Sequence, residues 1–380
     1  MAQSVASSHA TLRTTLVYDF MLVPGGAERV CLHLLETHPD WRLLTGFVDH
    51  QAFSDIRVPW SRVDALGRSV RHPARQALQV LRAFERRGTG LKETDRVLFS
   101  GVYAPVGVRH RPAGQDAYYC HTPPRFAYDL EDWYLERARA WERPALRRLA
   151  AHVRDRYAEA LEAMGAVAAN SHTVRRRLEH YLGVKDVTVI HPPVATAQWQ
   201  WLGQEGYYLS NARVEPYKRV EWAVRSFMQL PEHQLVVTSG GSDLERLRAL
   251  ASGHANIRFT GWCDDATLKA LTGNCIATLY LAREEDFGMA PIESMAAGKP
   301  VIGVAEGGLC ETVSPPDTGR LLEPGLAGDT EALAAAILDL DPATALAMRP
   351  ACEARAARFD ACHFDAGIDR LMVTHCRQTP

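Results

Sequence analysis

The sequence predicts an α/β protein made of two doubly wound, parallel-sheet domains in tandem. Three observations carry this. Segments with strand and helix character alternate along the chain. The first strand runs into a glycine turn and then a helix. A proline-stiffened stretch, residues 190–193, separates two such alternating sets.

Residues 15–20 are β-branched and aromatic and read as the first strand. Pro24, Gly25 and Gly26 form the turn. Residues 27–38 follow as a helix with Val30, Leu34 and Leu35 on one face. Further strands are expected at 43–48, 96–100, 117–120 and 166–170, with helices at 73–87 and 132–164. The second helix should kink or break just before Pro144. Strand 187–190 then enters His191, Pro192 and Pro193, where the domain boundary is placed: 1–190 and 191–359. The second set has strands at 207–209, 234–238, 257–260, 276–281 and 301–303. Its helices are expected at 220–229, 244–251, 266–272 and 291–297. The helical stretch 344–377 has no strand after it and should break near Pro350 and Phe359, with residues 360–380 packing back on the first domain. Parallel sheets bind ligands outside the carboxyl ends of their strands, so two facing sheets would line one central cleft with their loops.

The 380 residues, 47% hydrophobic and 23% charged, exclude collagenous and disordered chains and suffice for two or three cores. A net charge of −2 offers no whole-chain argument for nucleic acid. No apolar run approaches the roughly 18 residues of a membrane span. The longest, 275–282, suits a buried strand, and the polar residues 1–11 read as a loose tail rather than a secretory signal. Eight cysteines without a C-x-x-C pair point to buried free thiols in a reducing, cytoplasmic compartment, with no zinc-ligand spacing. The charge is unevenly spread. Residues 1–190 carry 27 Lys and Arg against 21 Asp and Glu, and residues 191–380 carry 16 against 24. Arg137, Arg139, Arg143, Arg147, Arg148, Arg154 and Arg156 fall in one stretch. Charge alone leaves two readings of it, a solvated helix face or a surface for anionic lipid or phosphates.

The chemistry concentrates in two segments. Residues 283–293 read Arg-Glu-Glu-Asp-Phe-Gly-Met-Ala-Pro-Ile-Glu between a buried strand and a helix. Gly288 permits close backbone approach, Pro291 suits a first helical turn, and the helix start offers N–H groups to an anion. Glu285 in the loop and Glu293 one turn into the helix can each accept hydrogen bonds from neighbouring sugar or ribose hydroxyls. Residues 210–219 read Ser-Asn-Ala-Arg-Val-Glu-Pro-Tyr-Lys-Arg after the first strand of the second domain. Arg213 and Lys218 can converge there on one diphosphate, steadying the negative charge that builds on a departing nucleoside diphosphate. The plain alternatives are acids near a helix N-terminus and a basic surface loop.

Arg-x4-Lys followed by Glu-x7-Glu resembles the retaining glycosyltransferases of family 4, which have the GT-B fold. The likeness continues through residues 294–302, Glu306, Gly307, Gly308, Glu311 and residues 318–322, and in the first domain through Gly25, Gly26, Ala27 and Glu28. It is most specific over residues 207–324. It implies two Rossmann-like domains whose parallel sheets face a central cleft. It also implies diphosphate binding by Arg213 and Lys218, sugar contact by Glu285 and ribose contact by Glu293. Phe287, Gly288 and Met289 would present backbone N–H groups, and Gly25 and Gly26 would approach from the other side. No cofactor and no metal are implied. Asp264 and Asp265 accordingly read as a helix cap.

His121, at a strand's carboxyl end, stands where the family often has a histidine near the transferred sugar. The surrounding His-Thr-Pro-x-Arg-x-x-x-Asp resembles the O-antigen mannosyltransferase branch. That implies GDP-mannose as donor, a lipid-linked or oligosaccharide acceptor, and Arg125, Tyr128 and Asp129 near sugar or acceptor. It implies polysaccharide synthesis at the inner face of the cytoplasmic membrane, with the basic half towards anionic lipid. A nucleotide-sugar epimerase and an inactive scaffold of the same fold are the rival readings. Asn170, Ser171, His172 and Thr173 read as a Ser- or Thr-capped helix start, and His191, Trp199 and Trp201 as packing residues.

Overall fold

The computed structural model describes residues 13–68 and 73–374. The tail expected at 1–11, Cys376 and the last part of the C-terminal helical stretch lie outside them. The chain forms two compact units. One comprises residues 1–170, 174–190 and 365–380, and the other residues 171–173 and 191–364.

The first unit has seven strands: β1 (Thr14–Tyr18), β2 (Arg42–Thr45), β3 (Val63–Ala65), β4 (Arg96–Ser100), β5 (Ala117–Cys120), β6 (Ala166–Ala169) and β7 (Thr188–Val189). All pair in parallel, in the order β3-β2-β1-β4-β5-β6-β7. The five residues of β1 are buried throughout, as a central parallel strand requires. The helix Gly26–Thr37 follows the glycine turn and buries Val30, Leu34 and Leu35. The long helical stretch breaks as its proline dictates, into Glu131–Arg137 and Arg143–Glu162, with Pro144 in the first turn of the second. β3 was not foreseen; it is a three-residue edge strand with no buried residue to mark it.

The second unit has six parallel strands: β8 (Tyr207–Ser210), β9 (Gln234–Thr238), β10 (Ile257–Gly261), β11 (Thr278–Tyr280), β12 (Val301–Val304) and β13 (Gly319–Leu322). Their order is β10-β9-β8-β11-β12-β13. Its core runs through Tyr208, Phe227, Val237, Leu279, Ile302 and Ile337. The sequence reading passed over β13 and the helix Thr330–Asp339, although Asp329 caps that helix by accepting the N–H groups of Glu331 and Ala332. Asp264 caps the helix Asp265–Asn274 through the Thr267 N–H.

Pro350 corrects one expectation. The helix Pro342–Ala357 runs through it without a break. An interior proline costs roughly 3 kcal/mol. Here Asp341 caps the start, and Ala345, Cys352 and Ala356 bury one face in the core. The expected break near Phe359 does occur, and the helix Ala361–Thr374 follows. Within the first unit, Asp365 and Asp369 of that helix accept from or pair with His33 and His38, at 2.7 and 3.2 Å.

Cysteine burial was read too uniformly. Cys31, Cys120, Cys275 and Cys352 are buried, but Cys310 and Cys362 are exposed; none of the six is in a disulfide. Trp199 is buried, and Trp201 packs beneath Lys299 and Arg349.

Candidate functional site

In each sheet the strand order reverses direction at one point: between β1 and β4, and between β8 and β11. The crevice outside the carboxyl ends at such a point is where open α/β sheets bind ligands. Both segments singled out from the sequence fall at the β8/β11 point, one after each strand.

Arg213 is exposed, and its Nη2 donates to the Tyr217 hydroxyl at 3.2 Å. Lys218 is buried, only 8% exposed. Its Nζ donates to the Tyr280 hydroxyl at 3.2 Å and pairs with the Glu285 carboxylate. Burial alone would lower the Lys218 pKa, but Tyr280 and Glu285 hold it above its ordinary value. The cation is therefore permanent at physiological pH.

The loops are stitched to one another. The Arg283 N–H donates to the Tyr217 carbonyl at 2.9 Å, and the Gly308 N–H to the Glu285 carbonyl at 2.7 Å. Arg219, in the left-handed region at φ 53°, pairs with Glu306, which also accepts the Glu284 N–H. Gly307 and Gly308 lie against this loop. A Cβ at either would strike the backbone of Glu285 or Phe287. Gly288 takes φ 88° just before the helix Met289–Ala296, a conformation that favours glycine, and Glu293 is buried one turn in. Lys218, Glu285, Phe287 and Gly288 are thus held on one rigid corner.

Sequence reasoning missed a neighbour of this corner. Trp262 follows β10 and is 71% exposed, with its ring against Gly240, where no Cβ would fit. The Val214 N–H, next to Arg213, donates to the Gly240 carbonyl. A tryptophan just past the carboxyl end of an expected strand was the available signal.

The first unit uses its reversal point differently. The buried Asp19 carboxylate accepts three backbone N–H groups after β4, from Val102, Tyr103 and Ala104, at 2.6–2.7 Å. Burial raises its pKa to about 6 despite those bonds. Glu28 accepts from the Tyr18 hydroxyl at 3.0 Å and lies against Gly25, where an added Cβ would meet its Oε2 at 2.7 Å. Gly26 is exposed at the start of its helix. His121 directly follows β5, edge-on to Tyr119 and Tyr18, with Nε2 buried and unbonded. Burial lowers its pKa to about 4, so the imidazole is neutral at pH 7. Arg125 and Asp129, expected to meet a ligand, pair with each other at 2.6 Å, and Tyr128 lies against Tyr181.

The helix start at 171–173 has partners that the sequence did not foretell. The His172 and Thr173 N–H groups are taken by the two carboxylate oxygens of Glu311, at 2.8 and 2.7 Å, while the Ser171 hydroxyl donates to the Asp286 carbonyl. His191 packs, as expected, in a stack on Phe287.

Residues 195–354 match the family of glycosyl transferases group 1. A glycogen synthase of Mycobacterium tuberculosis is 30% identical over 188 residues, 46% of this chain and 44% of that protein. The alpha-1,3/1,6-mannosyltransferase ALG2 of Mus musculus is 29% identical over 151 residues, 34% of this chain and 36% of that protein. The chain thus spans less than half the length of these curated relatives. The structure of Anabaena HepE in complex with UDP and glucose aligns over 95% of this chain and 99% of that one, with a TM-score of 0.71 at 17% identity. The fold is therefore that of the GT-B glycosyltransferases, two Rossmann-like domains with parallel sheets.

Proposed function

We propose that this chain is a retaining glycosyltransferase that takes a nucleoside-diphosphate sugar as donor and needs no metal for the transfer. The observation that carries the reading is the Lys218–Glu285 corner at the β8/β11 reversal, inside the segment matched by the family model. A permanent cation beside a carboxylate meets a diphosphate and a sugar hydroxyl with groups already oriented. Arg213, exposed on its tyrosine tether, swings onto the second phosphate. Their charge stabilises the leaving diphosphate as its own charge grows, so the site works by positioning and electrostatics. The start of the helix Met289–Ala296 adds N–H groups, and Glu293 holds the ribose. Trp262 offers its face to the nucleobase. On the first unit, neutral His121 can share a hydrogen bond with a sugar hydroxyl through Nε2.

The favoured donor is GDP-mannose, on the His121–Asp129 segment, and the acceptor is a lipid-linked saccharide. That places the work at the inner face of the cytoplasmic membrane, in bacterial surface polysaccharide synthesis, with the basic first half towards anionic lipid. No described helix is long and apolar enough to cross a membrane. The test is incubation with a panel of nucleotide sugars and a lipid-diphosphate saccharide, following released nucleotide and product mass. Acceptor-dependent release is expected, with GDP-mannose the best donor. Conversion of the donor without acceptor points to the epimerase, and no turnover with any pair to the scaffold. Arg213→Ala and Lys218→Ala should each cut turnover severely while the circular dichroism stays unchanged.

A further inference from the structure

We infer that His172, His191 and Glu311 form a binding site for one divalent transition-metal ion of the zinc type. The ligand atoms of the three residues lie within 4.8 Å of one another. The His191 Nε2 is 3.6 Å from the Glu311 Oε2, close to the roughly 3.3 Å that separates two ligands of a tetrahedral ion with bonds of about 2.0–2.2 Å. That Nε2 is buried and faces only the Glu311 carboxylate, at a distance longer than a hydrogen bond. His172 is exposed, and its ring stands 6.1 Å from that of His191, within reach of a side-chain rotation.

The surroundings hold two of the ligands in place. The His191 ring is stacked on Phe287 with centroids 5.2 Å apart and meets Phe359 at 5.1 Å, which fixes its plane. The Glu311 oxygens each accept one backbone N–H, from His172 and Thr173, and each keeps a further lone pair. A carboxylate so anchored by hydrogen bonds is a pre-oriented ligand. Two imidazoles and a carboxylate suit zinc, cobalt or nickel rather than calcium or magnesium, with water completing the shell. The site shares no residue with the Arg213–Lys218–Glu285 corner. A bound ion would tie His172 and His191 to Glu311, 139 residues beyond His172.

Untagged protein, stripped with a chelator, would be dialysed against zinc, and the bound metal counted. One ion per chain is expected, with a higher melting temperature. Cobalt in its place should show the visible bands of a nitrogen- and oxygen-ligated ion. His172→Ala should weaken zinc binding at least about tenfold and abolish the thermal shift, while metal-free stability stays that of the wild type. Cys310→Ser removes the exposed thiol next to Glu311 and should leave binding intact. Glu311→Gln should also lose the ion; should that variant fold poorly, His172→Ala still decides. Zinc affinity unchanged in His172→Ala, or lost in Cys310→Ser, overturns the site.

Discussion

The two sheets have nearly the same topology and opposite chemistry at the place where strand order reverses. In the first unit two acids, Asp19 and Glu28, are buried there and serve the protein's own Val102–Ala104 N–H groups and the Tyr18 hydroxyl. In the second, Arg213, Lys218 and Arg219 gather there with Glu285 and Glu306. The signs run against the bulk, because the first half of the sequence is the basic one and the second the acidic one. Net charge per half therefore says nothing about charge at the crevice, where a few residues on strand-end loops decide the local field. One reversal point acts as a structural staple, and the other is proposed to act on a ligand.

The contrast can be broken most forcefully at Lys218. Lys218→Ala should lower kcat/KM by about 10²–10³ with little change in fold, since it removes the buried cation and leaves Glu285 without that partner. Near-normal turnover would strip the second reversal point of its proposed role. Asp19→Ala should do the converse. Three N–H groups, one buried and two partly buried, lose their acceptor, so chemical denaturation should show a loss of about 3 kcal/mol, while nucleotide affinity stays unchanged. A weakened nucleotide Kd there would blur the division. Trp262→Ala should raise the nucleotide Kd about fivefold to tenfold and leave kcat close to wild type, measured by calorimetry and steady-state kinetics.

The contrast is sharpened last by the pH dependence of the first unit, small in the wild type because two shifts nearly cancel. His121 has its folded pKa lowered to about 4, so between roughly pH 6.5 and 4 the unfolded chain binds more protons and acidification costs stability. Asp19 has its folded pKa raised to about 6, so over roughly pH 6 to 4 the folded chain binds more protons and acidification adds stability. The two oppose each other. Relative to wild type, His121→Gln should become more stable on acidification across this window and Asp19→Asn less stable, as read by denaturant midpoints. Parallel curves for all three proteins would refute the assignment.

Much of this was legible beforehand, for local reasons. The segments at 210–219 and 283–293 announce themselves because a strand end, a proline and a run of charges are adjacent in sequence. The break before Pro144 is equally local. What escaped depends on contacts at long range. Glu311 takes the N–H groups of His172 and Thr173 across 139 and 138 residues. The pairing of Lys218 with Glu285 crosses 67 residues and cannot be told from two unpaired charges. The helix through Pro350 persists because its far side is buried, which no local propensity reports. β3 is too short and too exposed to carry a pattern.

The division of the chain bears on how it is made. The first unit begins at the N-terminus yet includes residues from Asp365 onward, so the second unit is an insertion within it. A ribosome releases the whole second unit before it delivers Ile368, Leu371 and Met372, all buried. Chains usually fold their N-terminal domain first during synthesis. Here the domain that starts first must be completed last, and a chain cut short near Asp360 would hold a nearly finished second unit beside a first one with an open seam.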